Sequence, residues 1–371
     1  MANVKKRGPL PIGLHLTPEA AYMVQFEPGG EGLHLVSKAS CTFTTPADTI
    51  NRLMAADDPM GRKGAEGSYA AARRFVQQEM AQNGFKGKDV VLSAPAELLE
   101  VQHVRMPPMQ PEELATALPH ELDGKLPFPP SHAVVRHIVA GTVAEDNETK
   151  QDVLVLAVRR DAVQAHVSAL AKMHFNVVGV GVEPCSMCYG YAYAAIHGEP
   201  LQSGPPCLMV VHLGWQRSNV AILRGQETIF VKPVDQGLDH LAQAVAHAKD
   251  VPVNEASEVV ATWRKDPTPE HIDEAVAVYN KCRSCTGRLT DEIQSCMRYY
   301  ASLARGARID RLVFVGPGAR DKALVRVLSA TLSSVPCETG DPVGAVTGEP
   351  DPSSGEPEMA VAVGLGLFGA S

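Results

Sequence analysis

Several things are missing from this 371-residue chain, and each absence removes a class of protein. No apolar run reaches the roughly 18–20 residues of a membrane-spanning helix. The final run, Met359–Phe368, is apolar but too short and too rich in glycine. The first residues carry no hydrophobic signal core. The expectation is therefore a cytoplasmic protein, for which the glycosylation-type triplet Asn147-Glu148-Thr149 means little. Positive charge is in deficit: 34 Lys and Arg face 42 Asp and Glu, for a net charge of −8. Nucleic acid demands a basic field to neutralise its phosphates, so it is not the expected partner. Lys5-Lys6-Arg7 is the only basic cluster and reads as a short solvated tail. There is no P-loop, no His-Glu-x-x-His and no Gly-x-Ser-x-Gly. Gly364-x-Gly366-x-x-Gly369 matches a dinucleotide fingerprint by its letters, but no helix or acidic partner follows it.

What is present occurs twice. A short apolar strand begins at Ile12 and another at Leu208, and each leads through a turn into a second apolar strand, Ala21–Phe26 and Asn219–Leu223. Third strands follow at Leu33–Phe43 and Thr228–Val234. Matching hairpins in two halves predict a duplicated fold with a cleft between them. Further strands are expected at Asp89–Ala94, Val101–Met106, Ala133–Ala140, Asp152–Arg159, Val177–Val182 (of buried type) and Arg311–Val315. Helical spacing marks Tyr69–Asn83, Asp161–Met173, Glu183–Ala195, Leu238–Ala248, Asn254–Trp263, Ile272–Arg283 and Asp321–Leu332. Another helix follows Pro111, where Glu112 and Glu113 suit the positive end of the dipole. It stops before Pro127, Pro129 and Pro130. Thr290–Ala304 is a longer helix with Thr290 as N-cap, and Trp263 and Arg264 read as packing and solvated face. Ala55–Gly67, Glu145–Thr149, Gly198–Pro206 and Pro350–Glu358 read as loops or links. Strands then helices, twice, place the chain in the α/β class.

Two Cys-x-x-Cys pairs, Cys185/Cys188 and Cys282/Cys285, would supply four thiolates for structural zinc. About 95 residues separate them, and helical periodicity around each favours buried small residues over zinc or redox chemistry. His15 and His212, one per hairpin, read as cleft lining or packing, with a metal site across the cleft as the alternative.

The motifs, in order, resemble the PilM family of actin-like type IV pilus assembly proteins, relatives of FtsA. Arg105-Met106-Pro107 with Glu112-Glu113-Leu114 is similar to the family's R-x-M-P … E-E-L. Glu121 with Leu126-Pro127-Phe128-Pro129 is similar to E … I-P-F-P, and Val180-Gly181-Val182-Glu183-Pro184 to V-D-V-E-P. Ile309–Gly318 and Ala362–Leu367 resemble its closing glycine-rich segments. The resemblance implies an actin/Hsp70-like two-lobed α/β fold, with duplicated ribonuclease-H-like halves and an inserted small subdomain. It divides the chain into a first lobe (8–88 and 161–203), an inserted subdomain (89–160), a second lobe (204–238 and 307–371) and a helical subdomain (239–306). It implies a partner groove at Met106, Met109, Leu126 and Phe128, receiving the cytoplasmic tail of a PilN-like inner-membrane protein. Of these four, the residues alone allow subdomain core equally well. A pilus motor ATPase is a second implied partner, and the location is the cytoplasmic side of the inner membrane, reached through partners without insertion.

The same resemblance places a nucleotide cleft at Thr17, Tyr22, Gly214, Ser218, Glu258, Gly316 and Gly318. There the chain departs from the pattern. His15 and His212 stand where the family has the aspartates of a metal shell, and Tyr22 where it has a phosphate-pairing lysine. Pro18 removes an N–H, Glu19 adds a negative charge, Trp215 is bulky, and Pro317 interrupts a glycine triplet. Magnesium prefers hard oxygen ligands to imidazole. The expectation is a scaffold with a degenerate cleft, no ATP or magnesium cofactor and no catalysis. The alternatives are an active actin-like ATPase whose nucleotide state controls partner binding, with Arg217, Arg320 and Lys322 holding phosphate, and a sugar- or acetate-kinase-like enzyme. The missing aspartates argue against phosphoryl transfer.

Overall fold

Each of the two hairpins opens a five-stranded sheet in the computed structural model. The structure describes residues 8–30, 32–43, 73–94, 96–145, 148–197, 206–303, 308–349 and 355–370. The tail 5–7, the loop 55–67, Asn147, residues 198–205 of the link and 350–354 of the last loop lie outside them.

The first sheet holds β1 (Ile12–Leu16), β2 (Ala20–Pro28), β3 (Leu33–Thr42), β4 (Asp89–Ser93) and β8 (Asn176–Gly181), in the order β3-β2-β1-β4-β8. The second holds β9 (Cys207–Leu213), β10 (Ser218–Arg224), β11 (Glu227–Val234), β12 (Arg311–Val315) and β13 (Cys337–Thr339), in the order β11-β10-β9-β12-β13. In both, three strands run antiparallel and two are added in parallel beside the first strand. The two halves therefore share one topology. β1 and β9 are central and wholly buried, which is why they read as continuous apolar runs rather than alternating ones. β8 departs from the buried strand that its valines predict. It is the sheet's edge, and Val178 and Val180 are exposed there.

Between β4 and the next lobe helix the chain makes a third sheet from β5 (Leu99–Met106), β6 (Ala133–Glu145) and β7 (Glu148–Arg159), ordered β5-β7-β6. β4, from Asp89 on, belongs to the first sheet, where it pairs with both β1 and β8. β6 and β7 also extend to Glu145 and Glu148, so the expected acidic loop is mostly ladder. β7 alternates with period two. Val153, Val155 and Ala157 meet α2 (Pro111–Glu121), whereas Leu154, Leu156 and Val158 face the second sheet.

A helix stands at each expected place, though the one expected over Ile272–Arg283 ends at Tyr279, and two short helices, Pro342–Thr347 and Ala360–Gly366, lie where none is expected. The helices comprise α1 (73–82), α2, α3 (Arg160–Ala171), α4 (Glu183–His197), α5 (Leu238–Lys249), α6 (Val253–Lys265), α7 (Pro269–Tyr279), α8 (Thr286–Leu303), α9 (Lys322–Thr331), α10 (Pro342–Thr347) and α11 (Ala360–Gly366). Thr290 is not an N-cap. α8 starts one turn earlier, and the Thr290 hydroxyl donates to the Thr286 carbonyl at 3.1 Å. Pro357 and Glu358, expected in an exposed loop, are buried.

α4 and α11 pack against each other between the two sheets. Glycines let α11 approach both α4 and β1 closely. A Cβ at Gly364 would lie 1.8 Å from the Ser186 carbonyl oxygen, and one at Gly13 2.0 Å from that of Ala362. Of the letters that mimic a dinucleotide fingerprint, Gly364 and Gly366 are thus close-packing positions, whereas Gly369 has a φ of +79° and open space around it. The two Cys-x-x-Cys pairs sit in separate cores, Cys185/Cys188 beside α11 and Cys282/Cys285 beneath α5 and α9. Burial pushes Cys185 up to about 12, Cys282 to about 11 and Cys285 to about 12, so these thiols stay protonated.

Candidate functional site

The two hairpin turns face each other across a cleft of about 280 Å³. That is just below the range of about 300–1,000 Å³ typical of sites enclosing drug-sized ligands. The β1–β2 turn has little to offer an anion. Thr17 N–H donates to the Ala20 carbonyl at 2.9 Å, and the Thr17 hydroxyl accepts from Glu19 N–H at 3.2 Å and Ala20 N–H at 3.0 Å. Pro18 has no N–H to give. Every backbone donor of that turn is absent or already engaged.

At the floor of the cleft lies a side chain from the Val180–Pro184 motif to which the sequence assigns no role. Glu183, the first residue of α4, is 4% exposed. Its Oε2 stands 3.3 Å from His15 Nε2 on β1. Its Oε1 stands 3.1 Å from His212 Nδ1 on β9 and accepts from Asn219 Nδ2 on β10 at 2.6 Å. Burial alone would raise the Glu183 carboxyl. The charge of His212 and contacts from both imidazoles outweigh that and hold it well below the ordinary carboxylate range. The two histidines expected to replace metal-shell aspartates therefore meet through a carboxylate. Among the described residues, no three His, Cys, Asp or Glu side chains are arranged to hold a metal ion.

The remaining polar groups near the cleft are mostly engaged with one another. Gln216 Nε2 donates to Glu19 Oε1 at 3.3 Å, joining the two turns. Arg217 pairs with Asp235 at 2.9 Å and Arg320 with Glu358. Lys322 is exposed on the first turn of α9 and does not line the cleft. Arg264 is not on a solvated face: its guanidinium lies over the Trp215 ring, 4.9 Å from the centroid. Tyr22 is buried and stacked on His15 at 5.6 Å; burial first, then Glu358 and Glu19, push its phenol up. Asp321 caps α9 and accepts from the Tyr279 hydroxyl at 2.7 Å.

Of the residues named for a nucleotide, Thr17, Tyr22 and Gly214 line the cleft. The Ser218 hydroxyl donates to the Gln236 carbonyl at 2.7 Å. Gly316 has φ +84°, a left-handed conformation that suits glycine, and a Cβ there would come within 2.7 Å of the His212 ring. Gly318 packs on Leu213 in the same way. Glu258 lies exposed on α6 and is not brought to the cleft. Of the four groove residues, Met106 and Leu126 are buried with Leu114, Leu118 and Leu122 between α2 and its sheet. Met109 and Phe128 sit half-buried at the rim of that core.

Residues 66–368 match the family described as type IV pilus assembly protein PilM. Among solved structures, a PilM–PilN type IV pilus biogenesis complex is similar at 20% identity, covering 97% of this chain and 98% of that one with a TM-score of 0.70. The ethanolamine utilization protein EutJ from Carboxydothermus hydrogenoformans is similar at 13% identity, covering 100% of this chain and 93% of that one with a TM-score of 0.53. No curated protein sequence gives a significant match.

Proposed function

The chain belongs to the PilM family of type IV pilus assembly proteins and has an actin-like fold, and from that premise we propose that it is a non-catalytic scaffold of pilus assembly. It binds the cytoplasmic tail of a PilN-like inner-membrane protein and is held at the membrane by that contact. No helix of the described residues is long and apolar enough to cross a membrane. The complex of the similar PilM with PilN supports the choice of partner. The half-exposed rim at Met109 and Phe128 is the proposed contact, because apolar side chains there can receive those of an extended peptide.

One observation carries the absence of nucleotide chemistry: the buried carboxylate of Glu183 lies between His15 and His212. In an actin-like cleft that region would hold the phosphates and their magnesium. A second anion beside Glu183 and Glu19 would be repelled, and the first turn has no backbone donor left for it. These residues do not fit a magnesium–polyphosphate group. The sequence alternative of an ATPase using Arg217 and Arg320 is disfavoured by their pairing with Asp235 and Glu358.

Calorimetric titration with ATP and magnesium tests this directly. The expected result is no binding heat up to about 1 mM nucleotide. Micromolar binding, abolished by Tyr22→Ala, would overturn the reading and make the chain a nucleotide-dependent switch.

A further inference from the structure

We propose that Glu183 is a built-in anion that clasps the two lobes together, so that the protein holds them in this arrangement with nothing bound in the cleft. The proposal rests on the nucleotide-free reading above and gives it a structural mechanism.

The clasp spans elements that the chain brings together from far apart. Glu183 enters from α4. His15 comes from β1 of the first sheet, and His212 and Asn219 come from β9 and β10 of the second. Each side chain is buried, between 2 and 4% exposed. Water competes poorly there, so the attraction between a carboxylate and its imidazole and amide partners is far stronger than at a surface. Removing the carboxylate would leave two imidazoles and an amide buried without it, which is the expensive way to break such a group. Glu183 also begins a helix, where the dipole favours negative charge. Its carboxylate contacts both hairpin strands at once, as a metal-bound phosphate would in a working cleft.

Two further contacts make lobe separation costly. Gln216 reaches Glu19 across the cleft mouth. The inserted subdomain is fastened to the second lobe: His103 Nε2 lies 2.9 Å from the Val231 carbonyl, and its ring stacks on Phe230 at 5.0 Å. Leu154, Leu156 and Val158 of β7 share one core with Val210 and Val231 of the second sheet and Met187 of α4. Rotating the second lobe would shear that core, so the clasp also sets the position of the subdomain proposed to hold the partner.

Hydrogen–deuterium exchange of the full-length protein without nucleotide tests the clasp. Glu183→Ala is expected to speed exchange around His15 and His212 by about tenfold or more, while α7 and α9 keep wild-type protection. Glu183→Gln, which keeps the shape and removes the charge, should show a smaller rise at the same two strands. Unchanged exchange at both strands in both variants would overturn the proposal. If Glu183→Ala loosens the whole chain, Glu183→Gln decides: a rise confined to the two strands upholds the clasp, and none overturns it. Calorimetric ATP binding would defeat the nucleotide-free reading while leaving the exchange result to judge the clasp, so the two failures are told apart.

Discussion

His166 shows how one buried side chain sets a pH dependence. It lies on α3, 5% exposed. Burial pushes its imidazole down to about 4; a hydrogen bond with the Ser93 backbone opposes this and His15 adds to it. The unfolded chain takes up a proton here as pH falls through about 6.5, while the folded protein waits until about 4. Stability from this group is therefore full above about 6.5 and drains away between there and about 4. Glu183 acts in a lower window. Its folded carboxyl is held down, so its contribution is present above the ordinary carboxylate range and is lost only as pH falls through and below it. Urea unfolding at pH 7 and pH 5 should show a clear loss for the wild type and a smaller one for His166→Gln. Equal losses of stability in the two proteins would remove His166 from the account. The local letters announce neither residue as special. His166 reads as one polar position of an amphipathic helix, and Glu183 as part of a motif.

At the scale of elements, the decisive contact is between α4 and α11. Close approach there depends on glycine, because a methyl group at Gly364 would sit 1.8 Å from the Ser186 carbonyl oxygen. Gly364→Ala is expected to cost about 2–3 kcal/mol through overpacking, read as a lower urea midpoint at unchanged slope. Gly348→Ala offers a contrast, since a Cβ there meets no atom within 4 Å and only its φ of +72° opposes the change. If the two variants were equally stable, crowding at the helix crossing would not be what glycine serves. The sequence was legible at this scale wherever periodicity is local. Central strands, the Pro111 helix start and the repeated hairpins all stand where patterning places them. It misled where a neighbour decides the outcome. β8 has the valines of an interior strand, but among the described residues no strand lies beyond it. Thr290 has the chemistry of a cap, but α8 gains an earlier turn from Thr286, whose hydroxyl bonds to the Cys282 carbonyl at 3.1 Å.

At the scale of the whole molecule, two lobes and an inserted sheet share cores and a buried clasp, which makes a domain-closing cycle costly. Binding of a PilN-like peptide should therefore be the same with and without Mg-ATP, and Phe128→Glu should weaken it about tenfold or more, equivalent to about 1.4 kcal/mol. Titration of a labelled peptide from the partner's cytoplasmic tail provides the measurement. A nucleotide-dependent affinity would contradict the fixed arrangement. Unaltered affinity in Phe128→Glu would move the contact away from the α2 rim.

The sequence by itself determined the α/β class and the duplication, which follow from residue order and local period; that His15 and His212 stand in place of aspartates is what the resemblance to the PilM family implies. Tertiary structure alone decided what those two histidines meet. Glu183 meets His15, His212 and Asn219 only because α4, β1, β9 and β10 converge at one point. His15 and His212 are nearly 200 residues apart in the chain. No local pattern encodes that meeting, because a buried carboxylate takes its charge state and its partners from the three-dimensional surroundings.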